Sequence, residues 1–403
     1  MTLATNNATN SDCVRRRAQR FLPKFLFDYI DGGAGEERCL TENRNQLSDI
    51  TVMSRPLALT GTPNCSTNIG GFPAAMPVLV APIGLTDLIR PGGDIALANS
   101  ANEVGIPFIQ SGASLTSYRD LTTNPQIPPW YQIYVHDLPT ALSDLDHLDN
   151  LGCRNVVVTV DMRVGGIRHR DRANHFGKYT SPRVIAQALL RPEWLLRLAI
   201  AKIAPPVTQQ SLHPAIRARR LEQPFGWKQL QLLRDNWPGK LWVKGLLHPD
   251  DACRAASIGI DGVIVSNHGG RQLDVLPTAW RSLPLIRAAL PDDFPVLADG
   301  GIRNGDDVAR AIALGATAVL VGKPLAWALA AGGQRGATKW LQNLRDEFEV
   351  TMLLLGYETL RQLRSAQRMN TLDSLVTSPT TDLSTTELIE NNVVPTCPID
   401  HGQ

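Results

Sequence analysis

Short apolar runs recur along the chain, each followed by a stretch with helical periodicity: PVLVA from 77, IPFIQ from 106, YQIYV from 131, NVVVTV from 155, LWVKG from 241, GVIVS from 262, PVLAD from 295 and AVLVG from 318. Within each run apolar residues follow one another instead of alternating with polar ones, which predicts parallel strands covered on both faces. The segments between them include GGDIALANSANEVG, PTALSDLDHLDNLG, HPDDACRAASIG and NGDDVARAIALG, several with Asp near the start and Gly at the end. Acidic groups favour the first turn of a helix and glycine its end, so these segments read as helices. Strand and helix alternate eight times, and that count predicts an α/β fold, a (β/α)8 TIM barrel over about 77–360 with its chemistry at the carboxyl ends of the strands. An open doubly wound sheet is the alternative, but the count and the lack of an early GxGxxG turn argue against it.

The whole chain, 1–403, reads as one domain with three segments outside the repeat. An N-terminal helical extension, about 14–76, contains FLPKFLFDYIDGG, read as a helix ended by Gly32 and Gly33 and expected to cap one barrel mouth. A long insertion after the fourth strand, about 176–226, far exceeds a normal βα loop. The tail, about 371–403, is rich in Ser, Thr, Asn and Pro and is expected to wrap irregularly over the surface or stay mobile.

Composition narrows the class. Hydrophobic residues make up 43% and charged residues 19% of the 403, with 32 Gly and 28 Pro, which excludes a coiled coil or a largely disordered chain. A formal net charge of +2 lacks the positive field that nonspecific nucleic-acid binding draws on. The six cysteines, at 13, 39, 65, 153, 253 and 397, form no CxxC pair or Cys/His cluster, so no disulfide framework or metal site is expected and a reducing cytoplasm is the expected compartment. The opening MTLATNNATNSDC has no apolar core of a secretory signal, and no apolar run is long enough to span a bilayer.

The residues at the strand ends bring polar side chains and backbone amides together: Gly84; Ser111; Gln132 and Tyr134; Thr159 and Asp161; Lys244; Ser266, His268 and Arg271; Asp299, Gly301 and Arg303; Gly322 and Lys323. In a barrel these surround one mouth. ADGGIRNG and VGKP, after the last two strands, pair glycines with Arg303 and Lys323 and suit a bound phosphate. Lys244 sits in an apolar run, where an unpaired charge is costly, so it needs a polar partner in the mouth or a structural salt bridge. In SNHGGRQLD, His268 lies three residues before Arg271, a general base beside a carboxylate anchor. Asp161 suits either the support of a protonated imidazole or a loop cap. Arg168, in GGIRHRDRANHF, is a second carboxylate contact or an exposed charge.

Together, SNHGGRQLD, ADGGIRNG, LVGKP, YQIYV and FDYIDGGAGEE resemble the FMN-dependent L-2-hydroxy acid oxidoreductases, over roughly residues 20 to 360. The first block is highly specific to that family; the phosphate loops are shared with other barrels. The resemblance implies FMN as cofactor and His268 as the base that takes a proton from the substrate, its charged form stabilised by Asp161. It implies that Arg271, Arg168 and Tyr29 hold the substrate carboxylate and that Tyr134 hydrogen-bonds the hydroxyl. Lys244 would stabilise the reduced ring's negative charge at its pyrimidine edge. Pro82, Ile83, Gly84, Ser111, Gln132, Thr159 and Ser266 would contact the ring or ribityl groups, and Asp299, Gly301, Arg303, Gly322 and Lys323 the ribityl chain and phosphate. Lys323 departs from the family's usual Arg and loses the two-pronged donor.

Gly84 matches the dehydrogenase members, where many oxidases carry alanine. Ala113 replaces a tryptophan of glycolate oxidase-like members and implies a wider substrate pocket; both are also simply small loop residues. From Lys178 to Arg220 the insertion carries eight basic residues and Glu193, a local charge of +7. Its VIAQALLRPEWLLRLAIAKIAPPV mixes Leu, Ile and Trp194 with Arg and Lys, the make-up of a segment lying on anionic lipid or of a core or subunit-interface helix. Resemblance to (S)-mandelate dehydrogenase and related membrane-bound members favours the lipid reading, and FGWKQLQLLRDNWPGKLWVKGLL and the TCPIDH tail share that resemblance. The expectation is an FMN-dependent (S)-2-hydroxy acid dehydrogenase acting on mandelate or a similar aromatic acid. It would be peripheral on the inner face of the cell membrane, pass electrons to a membrane quinone or carrier, and assemble as a homo-oligomer, a tetramer by the family's habit. Alternatives are an L-lactate dehydrogenase, a soluble hydroxy acid oxidase, a flavin-free phosphate-binding isomerase or lyase, and a non-catalytic FMN or membrane binder.

Overall fold

The computed structural model describes residues 10–121, 127–201 and 225–370. Eight parallel strands form its centre: β1 (Val78–Val80), β2 (Ile109–Ser111), β3 (Trp130–Ile133), β4 (Asn155–Thr159), β5 (Lys240–Leu246), β6 (Gly262–Val265), β7 (Val296–Asp299) and β8 (Ala318–Val321). Each neighbours the next in sequence, and β8 pairs with β1. The β1–β2 edge meets through a single parallel bridge, Val80 to Phe108. This is a (β/α)8 TIM barrel, and the sequential order removes the doubly wound alternative. The expected helices are present as Gly93–Val104, Leu138–Asn150, Pro249–Ser257 and Gly305–Ala313.

The strands start within one residue of the apolar runs except at β2. β2 begins at Ile109 instead of 106, since Pro107 has no N–H to give a ladder. β3 begins at Trp130 and ends at Ile133, which leaves Tyr134 beyond the ladder at the mouth.

Inside the barrel, Leu79, Ile109, Val157, Ile264, Leu297 and Leu320 pack with Trp130 and Trp242, whose rings lie 4.8 Å apart. A hairpin from the N-terminal extension, Thr67–Ile69 with Phe72–Ala74, plugs the amino-end mouth. Its turn is held by Asn155, which donates to Gly70 O at 3.1 Å and accepts from Trp242 Nε1 at 2.9 Å. Gly70 has φ +64° and a Cβ there would fall 2.2 Å from Trp130, so no other residue fits.

FLPKFLFDYIDGG is not one helix: Ser11–Phe21 ends before Pro23, and Lys24–Asp31 starts after it. The second helix does stop at Gly32, whose backbone is extended (φ −72°); the glycine is needed because a Cβ would lie 2.7 Å from Asp28 O. This helix and the next, Arg38–Ser48, carry residues over the carboxyl-end mouth. The extension therefore closes both ends of the barrel.

The described part of the insertion folds into Pro182–Leu189 and Pro192–Ile200. Val184, Trp194 and Leu198 are buried. Trp194 Nε1 donates to Leu88 O, Arg191 donates to Leu22 O, and Gln187 accepts from Phe25 N. Ile185, Leu189, Leu190, Leu196 and Ile200 face outward, the last 72% exposed. Among the described residues no helix is long and apolar enough to cross a membrane. The rest of the basic stretch (Lys202, Arg217, Arg219, Arg220) and the TCPIDH tail lie outside the described residues.

Candidate active site at the carboxyl ends of the strands

A cavity of about 710 Å³ opens at the ends of the strands, as the fold requires. Tyr29, Pro82, Ile83, Gly84, Ala113, Tyr134 and Thr159 line it, with Arg168, Lys244, His268, Arg271, Asp299, Gly301, Arg303, Gly322 and Lys323. Ser111, Gln132, Asp161 and Ser266 stand behind this wall: Ser111, Gln132 and Ser266 are buried, and the Asp161 side chain is 9% exposed.

His268 comes from a loop that turns sharply out of β6. It has φ +58°, and Gly269 and Gly270 follow at +63° and +73°. A non-glycine residue in the left-handed region costs energy and tends to be kept where its direction matters. The loop is tied down by His268 N–H donating to Ser266 Oγ at 2.9 Å and by the buried Asn267–Asn43 pair. A Cβ on Gly270 would meet Leu40 N at 2.5 Å, so the loop packs directly on the N-terminal extension. The imidazole Nδ1 lies 3.0 Å from Asp161 Oδ1. Burial pushes the Asp161 carboxyl up, but His268 and Lys244 outweigh it and hold it below its ordinary value.

Lys244 is buried with partners on two sides, Asp299 Oδ2 at 2.9 Å and Ser266 Oγ at 2.7 Å. Burial pulls the ammonium down, yet Asp299 and Asp161 more than compensate and raise it, so the charge is stable in the mouth. Its direction is set by a register shift in β5 at Gly245, which has φ +109°. A Cβ there would sit 2.6 Å from Asp161, so the glycine also lets the aspartate approach.

Two guanidiniums face the opposite wall. Arg271 donates to Ile30 O at 3.3 Å and Gly32 O at 2.9 Å, and burial with the neighbouring Arg168 pulls it down to about 10. Arg168 pairs through Nε with Asp171 at 2.9 Å. Both lie 5.1 Å from the centre of the Tyr29 ring, which stacks on Phe176 at 4.2 Å with 3° between planes. Tyr134 is raised by burial and then by Tyr29 and Asp161, so its phenol stays protonated and able to donate.

At the other end, Gly301 (φ +96°) lies so close to Asn43 that a Cβ would be 2.6 Å from its carbonyl. Arg303 stacks on Trp327 at 4.5 Å, and burial with Arg44 pulls it down to about 10. Lys323 donates to Asp31 O at 3.0 Å and Gly32 O at 3.1 Å, and burial with Arg271 and Arg303 holds it well below the usual lysine range. Crowded cations of this kind call for an anion. Deeper in, Gln132 Nε2 and Asp299 Oδ1 are buried without a hydrogen-bond partner among the described residues. Buried polar atoms are rarely left unpaired, and these two suit the polar ring edge and ribityl hydroxyls of a flavin mononucleotide.

The model of the family described as FMN-dependent dehydrogenase matches residues 18–370. The chain belongs to that family. As an FMN-dependent dehydrogenase it is 37% identical to L-lactate dehydrogenase of Pseudomonas syringae pv. syringae over 361 residues, 87% of this chain and 95% of the relative. It is 40% identical to L-lactate dehydrogenase of Caulobacter vibrioides over 356 residues, 85% of this chain and 92% of that one. Among solved structures it is similar to the monotopic membrane protein (S)-mandelate dehydrogenase, with a TM-score of 0.85 and 34% identity over 91% of this chain and all of that one (100%). It is also similar to mandelate oxidase, with a TM-score of 0.78 and 32% identity over 90% and 98% of the two chains. FMN is therefore the cofactor and a 2-hydroxy acid the substrate class.

Sequence reasoning missed residues that share this mouth. Arg15 lines the cavity and grips Asp31 at 2.6 and 2.7 Å, and Arg44 lines it beside Arg303. Both sit in the extension, where nothing in a linear motif relates them to strands 250 residues away. Phe176 also lines the cavity and Asp171 stands behind Arg168; both lay inside GGIRHRDRANHF, where an acid three residues after Arg168 is a spacing that signals a helical ion pair.

Proposed function

We propose that the enzyme oxidises (S)-2-hydroxy acids with an aromatic side chain, mandelate or a close analogue, to the 2-oxo acid. It passes the electrons to a membrane quinone or carrier while lying on the inner face of the cell membrane. FMN supplies the two-electron acceptor, held by Pro82, Ile83, Gly84, Ser111, Gln132, Thr159, Lys244 and Ser266 around the ring. Asp299, Gly301, Arg303, Gly322 and Lys323 serve the ribityl chain and phosphate. The substrate carboxylate goes to Arg168, Arg271 and Tyr29, and Tyr134 donates to the hydroxyl. His268 takes the hydroxyl proton or the α-proton, and Asp161, 3.0 Å from Nδ1, stabilises the imidazolium that results.

The observation that carries the substrate reading is the open wall beside the guanidiniums. Ala113 offers only a methyl group, and a Cβ on Gly165, which also lines the cavity, would meet nothing within 4 Å. The Tyr29–Phe176 stack supplies an aromatic surface next to that space. The membrane reading rests on the outward apolar face of Pro182–Ile200 with Arg183, Arg191 and Arg197 around it. The names of the sequence relatives support lactate as a second reading.

The test of the first is kcat/KM for (S)-mandelate against L-lactate with an artificial acceptor. The proposal expects mandelate to be preferred, and a lactate preference transfers the assignment. Replacing residues 178–220 by a short linker is expected to give an active protein that no longer sediments with membranes; continued sedimentation removes the membrane contact from this segment. A homotetramer is the proposed assembly, tested by sedimentation equilibrium.

A further inference from the structure

At the phosphate end of the cavity, Arg303 is pinned by its stack on Trp327, and Lys323 spends its ammonium on the Asp31 and Gly32 carbonyls. Arg44 lines the same end, yet its side chain makes no hydrogen bond, ion pair or ring contact among the described residues. Its place is nonetheless fixed. It sits in the helix Arg38–Ser48, whose Asn43 carbonyl accepts from Trp280 Nε1 at 2.9 Å and whose Asn43 side chain pairs with Asn267. The same turn packs on Gly301, where a Cβ would fall 3.3 Å from Arg44 N. The guanidinium is near enough that, after burial, it is the next influence lowering Arg303. The acids around this end are engaged elsewhere: Asp31 is gripped by Arg15 and Arg170, Glu37 by Arg170 and Asp307 by Arg310. Asp12 is an exposed rim residue that pairs with neither Arg44 nor Arg303 among the described residues. An unpaired guanidinium held beside a buried one is stabilised by an anion that both can reach.

We propose that Arg44, from the N-terminal extension, is a further ligand of the FMN phosphate and supplies the second guanidinium fork that Lys323 does not. A lysine at 323 offers a point charge, whereas two parallel N–H bonds to a phosphate need an arginine. The inference rests on the assignment of Gly301, Arg303 and Lys323 to the phosphate. If Arg44 merely balances Asp12 across the rim, or merely holds its helix in place, its loss leaves the discrimination between phosphorylated and unphosphorylated flavin untouched.

The experiment strips flavin from the purified full-length protein and titrates it back with FMN or with riboflavin, which lacks the phosphate, reading each Kd from the change in flavin fluorescence. For Arg44→Gln the preference for FMN over riboflavin is expected to fall by at least about fivefold at low salt, roughly 1 kcal/mol, through weaker FMN binding alone. The gap to wild type is expected to narrow in about 1 M salt, which screens an exposed charge. A smaller fall, or an equal weakening of both flavins, overturns the proposal. Arg44→Lys keeps the charge without the fork and is expected to lie between wild type and the Gln variant; a Lys variant no better than Gln also overturns it. A wild-type protein that takes up both flavins equally well ends the phosphate assignment itself, and that failure is visible before any variant is made.

Discussion

Replacing Asp161 with Asn changes one charge and almost no volume, so it isolates the electrostatic part of the proposed base. The carboxylate is 3.0 Å from His268 Nδ1 and held in its ionised form by His268 and Lys244. With charge centres ~4 Å apart and an effective dielectric near ~20, the attraction for an imidazolium is about 4 kcal/mol. If proton transfer is well advanced in the transition state, most of that is lost, equivalent to about a thousandfold in rate. Lys244 keeps its pairing with Asp299 at 2.9 Å, so the flavin end of the cavity should survive. The assay is anaerobic stopped-flow reduction of the purified variant, with bound flavin measured beforehand by absorbance. A full flavin complement with reduction slowed by two to three decades is expected. A variant with normal flavin content that is reduced within about threefold of wild type would show that His268 needs no counter-charge and would refute the reasoning.

His268→Gln should retain FMN and nearly abolish its reduction by substrate; normal reduction in the same stopped-flow assay would remove His268 from the chemistry. Gly84→Ala adds a methyl group 3.1 Å from Ala113 Cβ and 3.5 Å from the Tyr29 hydroxyl. Peroxide yield per turnover is expected to rise, and an unchanged yield would count against a dehydrogenase tuned by that glycine. Asp94 is buried at the start of the helix Gly93–Val104, and burial pushes its carboxyl up to about 7 despite the hydrogen bond it accepts from the Ser114 hydroxyl. The folded state then holds a proton that the unfolded state has lost above about 4, so this group's contribution makes stability fall as pH rises from about 4 to 7. Asp94→Asn should flatten that slope in urea melts and be relatively more stable at neutral pH; an unchanged slope would place the proton elsewhere.

The barrel was legible because a parallel sheet buried on both faces leaves its mark as unbroken apolar runs, and VKG at Lys244 already signalled a charge with a hidden partner. That partner is Asp299, from another strand. Strand ends were less legible: Ile106 to Ile109 are all apolar, and the missing N–H of Pro107 goes with the start of β2 at Ile109. The hairpin that plugs the barrel was unreadable, since Ile69 and Ala74 make sense only against Trp130 and Trp242. The same holds for Arg15 and Arg44, which reach the cavity through tertiary packing of the extension. The short loop motif SNHGGRQLD carried more, because His268 and Arg271 are positioned by backbone turns that its own glycines permit.

The central claim is that this cavity holds FMN and brings a 2-hydroxy acid to His268 and its paired arginines. Adding (S)-mandelate anaerobically to the purified protein and following the flavin band tests it most directly. The account predicts a yellow protein bleached by the (S) enantiomer and left coloured by the (R) enantiomer. A protein that binds no flavin, or a bound flavin that no 2-hydroxy acid bleaches, would contradict it.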